Sequence, residues 1–206
     1  MRIAVLGTGA VGSGWAERLR ELGHDVVMGT RTPGAAGEAV RRLSHAEAVA
    51  GASIVVNALN GAASLDVLER LAEPLTGTVL MDIANPLDFS HGSPALFVAG
   101  DDSLAERLQR ALPATRVVKA ANTMNVSLQV HPERNPGTVF VAGDDTAAKE
   151  AVAGLLREVG HDDILDLGDL TAARGLEMFL PLWLSIMGAL GTAEFQVRVQ
   201  RPRAGG

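Results

Sequence analysis

The run Gly7-Thr8-Gly9-Ala10-Val11-Gly12 constrains this chain more than any other feature. It follows the apolar run IAVL (3–6) directly. It opens a segment in which Val11, Trp15, Leu19 and Leu22 recur at helical spacing. A second apolar run, DVVMG (25–29), comes next. In a chain with 23 glycines the pattern G-x-G-x-x-G alone is weak, but strand before, helix after and second strand within about 30 residues give it its context. The chemistry of each position is specific. Gly7 permits the tight turn, Gly9 lets a pyrophosphate approach the backbone, and Gly12 lets the helix pack closely on the strand. The helix N-terminus then offers unpaired N–H groups and partial positive charge to phosphate.

The rest of the chain continues the alternation. Strands are expected at 53–57, 78–83, 116–120, 138–143 and 164–167. An amphipathic segment spans 35–50, and VLERLAEPL (67–75) lies in or near a helix. ANPLDFSHGSP (84–94) has no clear period and reads as a loop. Two similar passages, VAGDDSLAERLQRAL (98–112) and VAGDDTAAKEAVAGLL (141–156), read as ordinary helix starts, and Ser103 with Glu106 has capping-box spacing. The fold class is α/β: a Rossmann-like, doubly wound, mainly parallel sheet over 1–167, with a small extension at 168–206. About 40 residues beyond the sheet are too few for an independent domain. They suffice for an apolar helix (172–190), a last strand EFQVRV (194–199) and a disordered tail (201–206).

Composition narrows the function. Hydrophobic residues make up 47% and charged residues 20%, as in a globule with a sizeable core. A net charge of -6 with no Lys/Arg block argues against nucleic acid. No cysteine is present, which removes disulfides, thiolate catalysis and Cys-ligated metals and suits a reducing cytoplasm. The sequence enters a strand at MRIAVLG, so no secretory leader is expected. The longest apolar stretch, 175–191, falls short of the roughly 20 residues of a membrane span and carries Glu177 and Pro181. A buried or interface helix is expected, with part of its all-round apolar surface packing on a second copy as a homodimer.

The end of the second strand sets cofactor preference. A carboxylate there would accept hydrogen bonds from a ribose diol and repel a 2′-phosphate. This chain has Thr30-Arg31-Thr32. A guanidinium attracts the phosphate and can pair with two of its oxygens, while the threonines add hydroxyl donors. Asp25 is at the other end of the strand, roughly 13 Å away at about 3.3 Å per residue. NADP(H) is therefore expected over NAD(H).

Catalytic side chains are sparse. Of the five histidines, His24 and His161 precede strands and His45 lies in an amphipathic patch. His91, in the 84–94 loop, is a candidate substrate contact or proton donor, because ligands in open α/β sheets bind beyond the strands' carboxyl ends. No spacing suits a metal site, and no G-x-S-x-G elbow occurs. Lys119 ends an apolar strand, so it is either a proton donor or a structural residue paired with a carboxylate; Asn122 and Thr123 follow on the same rim. Carbonyl reduction needs a proton donor beside the hydride donor, whereas a flavin-like ring absorbs the charge.

GTGAVGSGWAERLRELGHDVVMGTR, together with the ending DLTAARGLEMFLPLWLSIMGALGTAEFQVRV, resembles the NADPH-dependent reductases of the deazaflavin coenzyme F-420, over nearly the full chain. The resemblance implies hydride transfer between NADP(H) and coenzyme F-420 by a usually dimeric enzyme. It implies that Thr8, Gly9, Ala10 and Val11 hold the pyrophosphate and Thr30 and Arg31 the 2′-phosphate. Asn57, Ala58 and Leu59 would lie near the cofactor, and Asn85 and Pro86 near nicotinamide and acceptor. Two other readings stay open: a reductase of a flavin, carbonyl or imine compound, with Lys119 or His91 as proton donor, and an NADP(H)-sensing module without catalysis.

Overall fold

The computed structural model describes residues 1–34, 39–90, 92 and 94–202. Eight strands form one sheet: β1 (Arg2–Leu6), β2 (Asp25–Thr30), β3 (Arg41–Ser44), β4 (Ile54–Asn57), β5 (Val79–Asp82), β8 (Arg116–Ala120), β9 (Val139–Gly143) and β10 (Ile164–Asp166). Their order is β10-β9-β8-β5-β4-β1-β2-β3. Only the β8–β9 pairing is antiparallel, so the sheet is mainly parallel, as the alternating pattern predicts. Two short strands, β6 (Leu87–Asp88) and β7 (Ala95–Leu96), make a separate antiparallel pair.

The helices are α1 (Ala10–Glu21), α2 (His45–Val49), α3 (Gly61–Glu69), α4 (Leu104–Ala111), α5 (Val126–Val130), α6 (Thr146–Val159), α7 (Ala173–Met178) and α8 (Leu180–Leu190). They cover both faces, because strands such as IVVN and VLMD are buried throughout. One face packs β-strand valines and isoleucines against Trp15, Ala16 and Leu19 of α1 and Val152 and Leu156 of α6. The other packs Val27, Val55 and Leu80 against Leu68 of α3 and Leu104 and Leu108 of α4.

Register matters for the site. Leu6 lies beside both Gly29 and Asn57, Asn57 beside Asp82, and Asp82 beside Lys119. The carboxyl ends of five neighbouring strands therefore form one rim.

Several local expectations are corrected. Within 35–50, where an amphipathic segment was expected, Arg41–Ser44 is an edge strand followed by the short α2; residues 35–38 lie outside the described residues. Charged Arg41 and Arg42 hide that strand, since an edge needs only one half-buried face. The helix expected around 67–75 begins earlier, at Gly61, and gives way to turns after Glu69. Ser103 caps α4 by accepting from the Glu106 N–H at 3.1 Å, but its own N–H donates to Asp102 Oδ1 at 2.9 Å while the Glu106 carboxylate takes the Ser103 hydroxyl and Arg174, so only half a capping box forms.

The segment 194–199 joins no strand ladder. It is strapped along 135–138 by single contacts: Thr138 N–H donates to Val197 O at 2.9 Å, and Val199 N–H donates to Thr138 Oγ1 at 2.8 Å. Its alternation serves packing, as Phe195 stacks on Trp183 of α8 with ring centroids 5.2 Å apart. Residues 203–206 of the tail lie outside the described residues.

The apolar helix is longer than its sequence suggests. A helical run extends over Leu170–Leu190, 21 residues with mean hydropathy 1.2, long and apolar enough by those measures alone to cross a membrane. Pro181 sits in the first turn of α8, where its missing N–H costs nothing. Gly191 ends α8 with φ +66°. Of α8 only Leu180 is buried, so full burial of this helix within one chain does not occur.

Candidate functional site

The site begins with an uncapped helix. Helices α2 to α6 each start with a side-chain oxygen accepting a backbone N–H, from Ser44, Asn60, Ser103, Asn125 and Asp145. Helix α1 starts at Gly9 with no such cap, leaving its first-turn N–H groups for an anion. The glycines divide the work. At Gly7, with φ +108°, a Cβ would stand 2.5 Å from Ala58 O, and at Gly12 it would stand 2.1 Å from Gly7 O. Those two are packing requirements. At Gly9 a Cβ would meet nothing within 4 Å, so the space above it is open to a ligand.

A cavity of about 520 Å³ opens beside this turn. Of the expected cofactor residues, Gly7, Thr8, Gly9, Thr30, Arg31, Ala58 and Leu59 line it. Arg31 is exposed and makes no ion pair among the described residues. Ala10 and Val11 lie beyond the cavity wall in α1, Gly12 is buried beneath it, and Thr32 is exposed past it, its N–H donating to Thr30 Oγ1 at 3.2 Å. The cavity also takes walls the sequence did not point to: His45 from α2, and Asn60, Ala63, Asp66, Val67 and Arg70 from α3 and its ends. Asn60 could have been found as a helix cap; nothing in the pattern says that α3 stands across from Arg31.

Beyond the cavity, the rim is a buried polar chain. Asn57 is fully buried; its amide donates to Asp82 Oδ1 at 2.7 Å and Ser64 Oγ at 3.2 Å, and its Oδ1 accepts from Leu59 N–H at 3.3 Å. It thus shapes the 58–59 turn rather than facing the cavity. Asp82 Oδ2 accepts from Lys119 Nζ at 2.8 Å, and Lys119 reaches Glu177 Oε1 at 2.9 Å and the Ala84 carbonyl. Glu177 in turn accepts from the N–H groups of Leu104 and Ala105 at 2.7 and 3.1 Å, at the start of α4.

This corrects the candidacy of Lys119 as a proton donor. The side chain is 0% exposed and its ammonium is spent on three partners. Burial pushes the ammonium down, but Asp82 and Glu177 outweigh it and hold its pKa above the ordinary lysine value. Lys119 is the structural cation, and it pins the C-terminal helix to the sheet.

Asn122 is also redirected. It is 3% exposed, and its Nδ2 donates to Asn85 Oδ1 and Leu176 O, both at 2.9 Å, while Asn85 Nδ2 returns a bond to Asn122 O at 3.1 Å. Such an amide braces Asn85. Thr123 and Pro86 are buried beside it, and Asn85 is half-buried. His91 lies outside the described residues. The turn leading to this rim holds Ala121 at φ +53°, a strained region for alanine. Gln129 fastens the turn through Ala121 O and Met124 O, and Trp15 of α1 donates to Gln129 Oε1 at 2.7 Å. No group of three or more metal-ligating side chains occurs among the described residues.

The comparisons with known proteins follow this geometry. Residues 2–86 match the family model described as NADP oxidoreductase, coenzyme F-420-dependent. A crystal structure from Arthrobacter sp. FB24, described as a putative F-420-dependent NADP-reductase, superposes with TM-score 0.93 at 49% identity, covering 98% of this chain and all of that one. The chain belongs to the coenzyme F-420-dependent NADP oxidoreductase family. The F-420-dependent NADP reductase of Methanothermobacter marburgensis is 29% identical over 209 residues, covering 90% of this chain and 92% of its own length. The rat metalloreductase STEAP3 is 30% identical over 191 residues, but this chain spans only 38% of that protein. Within the NADP oxidoreductase family, then, the open glycine turn and the exposed Arg31 guanidinium sit in the stretch the family model covers, whereas the Lys119 network reaches beyond it to Glu177.

Proposed function

We propose that this protein moves a hydride between NADP(H) and coenzyme F-420. The observation that carries the reading is the open cradle at Gly9 beside an exposed Arg31 that is unpaired among the described residues, in a chain that aligns over 90% of its length with the F-420-dependent NADP reductase of Methanothermobacter marburgensis. The residues present fit the dinucleotide. The first-turn N–H groups of α1 and the Gly7–Gly9 backbone would hold its pyrophosphate, Thr30 and Arg31 its 2′-phosphate, and Ala58 and Leu59 its flank. When bound, the nicotinamide supplies or receives the hydride and the deazaflavin ring is its counterpart.

The chain's own task is to bind, orient and exclude water. Asn85 and Pro86 would form the floor near the reacting rings, held in register by Asn122 and by Lys119 through Ala84 O. No side chain at this rim among the described residues stands ready as a proton donor, since Lys119 is sealed. That favours an acceptor ring able to delocalise charge over a carbonyl. We further propose a cytoplasmic homodimer, with the exposed Leu182 and Leu190 of α8 covered by the partner's copy of the helix; both are more than half exposed here.

The test is turnover. Purified protein with NADPH is offered coenzyme F-420, FMN, a ferric chelate (prompted by the metalloreductase likeness) and a panel of carbonyl and imine compounds. Rapid loss of NADPH absorbance is expected with F-420 only. Turnover with another acceptor alone, or firm NADPH binding with no turnover, overturns the reading.

A further inference from the structure

Among the described residues His45 is the one titratable ring in the cavity wall, and the reading above leaves it without a task. It opens α2 directly after β3 and shares the wall with Gly29, Thr30 and Arg31. Gly29 is what admits it: a Cβ there would stand 3.2 Å from His45 Cδ2 and 2.4 Å from Leu6 Cδ2. The cap at the start of α2 fixes its place. Glu47 accepts from Ser44 N–H at 3.0 Å and Ser44 Oγ at 2.5 Å, and Ser44 Oγ accepts from Glu47 N–H at 3.3 Å. The acid on its own helix is therefore committed elsewhere. Among the described residues, the other charged groups on this cavity are Arg31 at the end of β2, and Asp66 and Arg70 from α3 and its end. No hydrogen bond or ion pair of the His45 ring occurs among the described residues.

Resting on the NADP(H) assignment, we propose that His45 is a second specificity-determining residue for the 2′-phosphate. It takes up a proton as the phosphate enters, so that preference for the phosphorylated dinucleotide rises as pH falls. Burial first, and then Arg31, push the free imidazole's pKa below its ordinary value, so it is neutral at pH 7 before ligand arrives. A phosphate dianion beside it reverses that balance. The sign follows from linkage: a group whose pKa rises on binding adds affinity that is fully present below its free value and is lost as pH climbs through its bound value. NADH lacks the phosphate and gains nothing.

The experiment is calorimetric titration of the native protein and of His45→Gln with NADPH and NADH, from about pH 6 to about pH 8.5, each in two buffers of different ionisation heat. The phosphate's own second ionisation occurs in both proteins, so the difference between them reads the imidazole. Native protein is expected to take up protons with NADPH and none with NADH. Its NADPH-over-NADH affinity ratio should climb several-fold more toward low pH than that of H45Q. Equal proton uptake and equal slopes in the two proteins, with NADPH preference intact, overturn the role of His45 alone. Native protein that holds NADH as firmly as NADPH at every pH overturns the NADP(H) assignment as well.

Discussion

At the glycine-turn end of the rim, space is left open where a ligand could enter; at the Lys119 end, side chains are committed to one another. Gly9 leaves open space and Arg31 stands unpaired among the described residues, so that end is ready to receive charge from outside. Asn57, Asp82, Lys119 and Glu177 are all buried and mutually satisfied, so the other end holds its charge internally. The contrast teaches how one rim can be both selective and stiff. Selectivity rests on a few exposed groups whose loss should leave the fold intact. Stiffness rests on a chain of partners that fails as a unit when one is removed.

The sharpest way to break this contrast is Lys119→Met. It leaves Asp82 and Glu177 facing each other in the interior without a cation, and removing one partner of a buried pair costs about 3–5 kcal/mol. Urea unfolding is expected to show a loss of that size. A loss below about 1 kcal/mol would place the network among tolerated ornaments and erase the distinction.

Arg31→Ala tests the open end. Losing a charge-assisted contact costs about 1.5–3 kcal/mol of NADPH affinity, with NADH affinity and the unfolding midpoint nearly unmoved. Equal weakening of both dinucleotides would show that Arg31 does not read the phosphate.

Asn122→Ala sharpens the acceptor side. It strips donors from Leu176 O and Asn85 Oδ1, and leaving buried acceptors unpaired costs about 1–3 kcal/mol. The expected signature is a drop in stability together with lower kcat, because Asn85 loses its brace. Stability loss without any change in turnover would confine Asn122 to packing.

The smallest effect concerns Asp102 near the start of α4. Burial raises its pKa, but hydrogen bonds from Arg107 and Arg110 outweigh this and bring it to about 2. A carboxyl depressed from 3.8 contributes stability above pH 3.8 that disappears as pH falls toward 2. Asp102→Asn should therefore cost under about 1 kcal/mol at neutral pH, for a partly exposed ion pair, and nothing near pH 2. A difference that persists at the acid end would assign the effect to lost packing.

The amino-terminal half was the more legible. GTGAVG between IAVL and a helical spacing dictates turn, helix and second strand, because each glycine has one steric task. Arg31 could be read from its place at a strand end. Lys119 announced that it needed either work or a partner, but Asp82 and Glu177 lie too far away in sequence for any local pattern to name them. His45 and Arg70 were invisible as cavity walls for the same reason: helical spacing tells which face is apolar, not which helix stands opposite. EFQVRV misled because alternation marks a half-buried extended segment, and whether it gains a ladder depends on a free edge. There Thr138 offers a single backbone bond to Val197.

Gly61 carries one more consequence. A Cβ there would stand 1.9 Å from Asn85 O, so the first residue of α3 rests directly against the Asn85 loop. The α3 wall of the cavity and the Asn85 loop proposed as the floor of the reacting rings are thus welded at a point with no slack. Enlarging the enzyme's appetite for bulkier acceptors by pushing that floor downward would drag the distant nucleotide wall with it, and an engineer seeking room should cut elsewhere.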